Sequence, residues 1–219
     1  MYVQLFLSVF GVFLMAVPVA AKDKPTEPPS AELHAQLTRI GQNTASLDEA
    51  IRRGERSAGV CRHCHGASGN SVRPEVPNLA GQNAAYLLEQ MNKFVEGTRR
   101  SSAFMTGLIK ALSPQERIDI ALFLSRQPVA VKAADTSAHA VSGKVLYGKL
   151  CVSCHGPAAS GSQKIPRLAG QQPRYLEDSL KRYRAGKGER IDPMMAAYTR
   201  NLTDADILSL AAYLSTLAP

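Results

Sequence analysis

Apolar and polar positions divide the chain sharply at its start. Residues 1–21, MYVQLFLSVFGVFLMAVPVAA, carry no charged side chain, and polarity returns at once with Lys22-Asp23-Lys24-Pro25. The small-residue exit Val19-Ala20-Ala21 predicts a cleaved export signal. A run of about 20 apolar residues can also just cross a bilayer, and with no Lys or Arg ahead of it an uncleaved anchor is the alternative. Gln4, Ser8 and Pro18 inside the run favour cleavage. Pro25, Pro28 and Pro29 in a polar setting then predict a flexible lead-in over residues 22–42.

From Thr44 the pattern turns helical, with Ser46 or Asp48 as cap before Ala50, Ile51 and Arg52-Arg53. Apolar residues at Tyr86, Leu87, Met91 and Phe94 form one helical stripe, and Tyr175, Leu176, Leu180 and Tyr183 form another. Both stripes read as core, and Gly97 and Gly186 are expected to end these helices. The last two helices read Pro114–Arg126 and Asp204–Leu217, capped by Ser113 and Thr203. Ile118, Ala121 and Leu122 should face inward in the first, and Ile207, Leu210, Ala211 and Leu214 in the second. No alternating run is long enough for a sheet, so the chain is expected to be all-α.

The similarity of these paired segments is an internal duplication. Pro77-Asn78-Leu79-Ala80-Gly81-Gln82 returns 89 residues later as Pro166-Arg167-Leu168-Ala169-Gly170-Gln171. Two copies are too few for a solenoid, so the organisation is two tandem domains, residues 43–128 and 141–219, with a linker over 129–140 that lacks an apolar stripe. Each unit is small for a self-sufficient hydrophobic core.

The chemistry sits at Cys61-Arg62-His63-Cys64-His65 and Cys151-Val152-Ser153-Cys154-His155, which use all four cysteines of the chain. C-x-x-C-H is the attachment pattern of haem c. Its two thiols form thioethers to the vinyl groups of one haem, and the adjacent imidazole reaches the iron. A shared zinc ribbon would place its Cys pairs about 15–20 residues apart, whereas 86 residues lie between Cys64 and Cys151. A thioredoxin-like pair needs no following His. Two covalent haem c groups would also supply the missing core, so haem-free units should fold poorly.

A sixth ligand is offered at matching positions. Met105 follows His65 by 40 residues, and Met195 follows His155 by 40. Thioether sulfur opposite His raises a haem potential. Buried Met is ordinarily gap-filling core, but each Met stands eight residues before the capping Ser113 or Thr203. Met194 competes directly with Met195, which the register prefers. His63 is expected at the surface, and His34 and His139 in solvent. With both axial positions filled, single-electron transfer is the expected activity rather than catalysis; a dihaem peroxidase would need an open site.

The net charge is +8, with 11 basic against 8 acidic residues over 43–128 and 12 against 7 over 129–219. The densest basic run is Lys181, Arg182, Arg184, Lys187 and Arg190, and its counterpart holds Lys93, Arg99 and Arg100. Such a run is a solvated face that can also steer an acidic partner. Nucleic acid is not needed to explain it, while acidic phospholipid is a secondary contact.

The two C-x-x-C-H motifs, the two late Met residues and the two P-x-L-A-G-Q phrases together resemble the dihaem class I cytochromes c of the cytochrome c4 family, from about residue 44 onward. The resemblance implies two cytochrome c folds with haem propionates near their interface. It implies His65 with Met105 and His155 with Met195 as axial pairs, and Pro77 and Pro166 as the carbonyls that receive the His hydrogen bonds. It also implies a periplasmic electron carrier between a cytochrome bc complex and a terminal oxidase at the membrane face. An electron-accepting subunit of a periplasmic dehydrogenase is the alternative.

Overall fold

A computed structural model describes residues 27–218 apart from 101, 131 and 187–191. The export-signal expectation, and Lys187 and Arg190 of the basic run, fall outside the described residues. These hold eleven helices and no β-strand: α1 (Ser30–Gln42), α2 (Thr44–Ser57), α3 (Arg62–His65), α4 (Ala84–Glu96), α5 (Ala103–Lys110), α6 (Pro114–Ser125), α7 (Ala138–Leu150), α8 (Val152–His155), α9 (Pro173–Ala185), α10 (Pro193–Thr199) and α11 (Asp204–Thr216). Helices α2–α6 form one unit and α7–α11 repeat it.

The terminal helices of each unit cross at a glycine because nothing larger fits. A Cβ on Gly54 would lie 2.1 Å from the Asp119 carbonyl oxygen, and one on Gly143 would lie 2.0 Å from that of Ser209. The α2·α6 and α7·α11 crossings anchor the two cores. Ile118, Ala121 and Leu122 are buried in one, and Ile207, Leu210, Ala211 and Leu214 in the other. Helices α6 and α11 each start in a full capping box, Ser113 with Glu116 and Thr203 with Asp206. Helices α4 and α9 end in left-handed Gly97 and Gly186.

The structure corrects the flexible lead-in. Residues 30–42 are helical because Leu33, Leu37 and Ile40 form a stripe that packs against the first unit, with Leu33 1% exposed. His34 is correspondingly half-buried and paired: its Nε2 lies 3.2 Å from Glu89 Oε2, and Ser30 Oγ donates to the same oxygen at 3.3 Å. Gln36 donates to Gln115 at 2.6 Å. Glu27, just ahead of α1, pairs with the buried Arg117, a position taken by Ile207 in the second unit. The cap of α2 is Asn43, whose side chain accepts from Ser46 N–H at 2.9 Å, rather than Ser46 or Asp48. Helix α7 begins at Ala138, inside the expected linker, because Ser137 caps it. The preceding segment is tied down: Asn70 Nδ2 donates to the Pro128 carbonyl and Asn70 Oδ1 accepts from Ala130 N–H, each at 2.8 Å.

The units meet through the repeated phrase. Gln82 Nε2 donates to the Arg167 carbonyl at 2.9 Å while its Oε1 accepts from Arg167 N–H at 2.7 Å. Gln171 does the same to Asn78, at 3.0 and 2.7 Å. This reciprocity gives the interface a pseudo-two-fold axis. Arg167, 3% exposed, adds bonds from Nε to the Gly81 carbonyl at 3.1 Å and from Nη2 to the Ala80 carbonyl at 2.6 Å. Burial pushes its guanidinium down to about 10.

Candidate functional site

The single turns α3 and α8 fix the spacing of the thiols and imidazoles. In α3 the His65 N–H closes onto the Cys61 carbonyl at 2.9 Å, and in α8 the His155 N–H closes onto that of Cys151 at 3.0 Å. The four cysteines form no disulfide with one another. Burial pushes the Cys61 thiol up, and it pushes the Cys151 thiol up to about 11 with help from Cys154.

Each imidazole is locked by one backbone carbonyl. His65 Nδ1 donates to Pro77 at 2.8 Å, and His155 Nδ1 donates to Pro166 at 3.0 Å. Because a carbonyl can only accept, the proton is on Nδ1 and Nε2 keeps its lone pair. Burial lowers both imidazole pKa values against the opposing pull of the proline carbonyls, and the Arg99 charge lowers His65 further. Both rings are held neutral, in the protonation state a metal requires.

The methionines come from the short helices α5 and α10, and the same capping geometry sets them. Met105 N–H donates to Ser102 Oγ at 3.2 Å, and Met195 N–H donates to Asp192 Oδ1 at 3.0 Å. Met105 lines a cavity of about 690 Å³ together with Cys61, Cys64, His65 and Pro77. Met194 and Met195 line a second of about 200 Å³ with Cys151, Cys154, His155 and Pro166. Met195 is partly buried while Met194 is 63% exposed. His63 is exposed, its Nδ1 3.2 Å from the Val60 carbonyl.

The residues fit haem c. The first cavity lies within the roughly 300–1,000 Å³ of ordinary ligand sites, which are apolar with a few placed polar groups. It offers two thiols, an imidazole with a free lone pair, a thioether, and Arg182, whose buried Nε has no partner. That is a donor suited to a carboxylate-bearing ligand. Among the described residues no group of three His, Cys, Asp or Glu could hold a bare metal ion.

The two apolar stripes reach beyond their own units: Tyr175 lines the cavity of the first unit, and Tyr86 lines both cavities. The basic run is not uniformly a solvated face: Arg182 lines the first cavity, and Arg184 bonds to Asp204 at 2.6 Å. Arg99 stacks over Phe94 at 4.8 Å and lines both cavities. The helical stripe identified α4 and α9, but only the interface reveals which wall each residue joins.

The cytochrome c family model matches residues 51–127 and 140–218. A cytochrome c4 of Pseudomonas aeruginosa is 35% identical over 176 residues, covering 75% of this chain and 87% of its own. The solved reduced recombinant cytochrome c4 of Pseudomonas stutzeri matches with a TM-score of 0.70 and 34% identity, over 77% of this chain and 98% of that one. A thiosulfate dehydrogenase electron acceptor of Thiomonas intermedia is 31% identical over 172 residues, 72% of this chain and 78% of its own.

Proposed function

This chain belongs to the cytochrome c4 family, dihaem c-type electron-transfer proteins rather than enzymes, and from that premise we propose that it is a periplasmic carrier passing single electrons from a cytochrome bc complex or similar donor to a terminal oxidase. In this reading Cys61 and Cys64 would hold one haem and Cys151 and Cys154 the other, with His65 and Met105, and His155 and Met195, as the residues that would ligate the irons. The bound haem iron supplies one-electron exchange between its ferrous and ferric states. The protein's part is to close both axial positions, to exclude water, and to hold each imidazole in one tautomer through Pro77 or Pro166.

The observation that carries the proposal is the duplicated donor set. Each cavity gathers a thiol pair, a carbonyl-locked neutral imidazole and a methionine on a capped short helix. An imidazole and a thioether from each set would hold the iron, and together they would leave it no coordination position for a substrate. Met105→Ala and Met195→Ala should each lower the potential of one haem and open it to carbon monoxide, while Met194→Ala should do neither. Unchanged potentials in the first two would overturn the ligand assignment.

The apolar, charge-free run over residues 1–21 with its small-residue exit supports export and so the periplasmic location. A second reading, a dihaem electron acceptor of a periplasmic dehydrogenase, is favoured by the likeness to the Thiomonas intermedia protein. Mixing the reduced protein with membranes of its own cell separates the two. Rapid, cyanide-sensitive oxidation supports the oxidase route, and its absence supports the dedicated acceptor.

A further inference from the structure

The two cavities are not closed by their own units alone. Arg182, on α9 of the second unit, does not line the cavity of Cys151 and Cys154; it lines that of Cys61 and Cys64. Lys93, on α4 of the first unit, is absent from the wall of its own cavity and lines the other. The two positions are 89 residues apart, the spacing of the P-x-L-A-G-Q phrases, so they are the same site on the duplicated helix. The Gln82 and Gln171 bonds that hold the pseudo-two-fold axis therefore also exchange these cations.

We infer that each haem potential is set in part from across the interface, with Arg182 acting on the haem of the first unit and Lys93 acting, more weakly, on the haem of the second. A positive charge beside a haem favours the ferrous state, which carries one positive charge fewer, and it acts strongly where water is excluded. The two cations differ in the protein groups beside them. Arg182 has a buried Nε with no protein partner, suited to a haem carboxylate, and an Nη2 that lies 3.5 Å from Ser179 Oγ. Lys93 stands 3.5 Å from Glu89, which lines the same cavity, and its side chain is 37% exposed. Solvent and the adjacent carboxylate screen Lys93 more.

The inference rests on the haem assignment above, and the test keeps the two apart. In the full-length holoprotein, resolved haem methyl proton resonances are followed through a redox titration, with each set assigned by Met105→Ala and Met195→Ala. Arg182→Gln should lower the ferrous-to-ferric ratio of the first-unit haem at a fixed potential by about threefold or more, about 28 mV at 59 mV per decade, and leave the second-unit haem in place. Lys93→Gln should shift the second-unit haem by less. Arg182→Lys should preserve the wild-type value, and Arg182→Met, which keeps an apolar stem, repeats the test if the Gln variant folds poorly. A shift confined to the haem of the mutated residue's own unit, or none at either, overturns the inference. Failure of the haem assignment would show instead in the wild-type protein, as covalent haem below two per chain by pyridine haemochrome absorbance.

Discussion

Replacing Gln82 with Ala tests the interface most directly. The side chain is 4% exposed and satisfies both the N–H and the carbonyl of Arg167. Its loss leaves the two buried Arg167 groups without partners, each at a cost of about 1–3 kcal/mol, and removes the acceptor of the part-buried Asn83 N–H as well. Partial rehydration at the seam would reduce the sum, so we expect a loss of about 3 kcal/mol. With a guanidinium m-value of about 5 kcal/mol/M, the unfolding midpoint should fall by about 0.6 M. Gln171→Ala should match it, because its bonds to Asn78 are the same pair related by the axis. Guanidinium unfolding followed by both helical circular dichroism and Soret absorbance should also separate into two transitions in the double variant, one per unit. A loss below about 0.5 kcal/mol in each single variant, with the two probes still coincident, would refute the claim that these bonds hold the units together.

Gly143→Ala should cost at least about 1–3 kcal/mol, since the added methyl meets backbone at 2.0 Å and α7 must move off α11; thermal unfolding that leaves the second unit unchanged would contradict this. Leu33→Ala should cost about 2–5 kcal/mol and act on the first unit, where Leu33 is 1% exposed, so loosening of the second unit by hydrogen exchange would be the wrong result. Glu116→Ala removes half a capping box and should cost about 0.5–1 kcal/mol at neutral pH. The Ser113 backbone and hydroxyl hydrogen bonds hold the Glu116 carboxyl below its ordinary range. Its contribution is therefore present above the unfolded carboxylate pKa and lost as pH falls through the lower folded one. The gap between wild type and variant should narrow as the pH falls below the ordinary carboxylate range, and a gap that stayed constant through acid titration would sink the explanation.

Much of this molecule is legible in its sequence because the signals are local. Ser113 and Thr203 announce α6 and α11 through residues within one helical turn, and C-x-x-C-H confines its donors to five positions. Helix α1 also carried a local signal, Leu33, Leu37 and Ile40, but the prolines before it obscured the stripe, and its stability comes from packing against α2, α4 and α6. Gln82 and Gln171 stood in view as a repeated letter whose partners lie 85 and 93 residues away. The swapped positions of Arg182 and Lys93 were hidden for the same reason: a periodic stripe specifies a helix face, and only docking decides which cavity that face meets.

The two glutamines grip backbone, so their hold is indifferent to the side chain of the residue they grasp. Asn78 and Arg167 share that slot, yet Asn78 turns its amide to the Gly170 carbonyl at 2.8 Å and Arg167 spans to Ala80 and Gly81. That single letter of the phrase is thus a permissive place, where descendants of the duplication could drift apart and retune the seam while the clasp stayed shut.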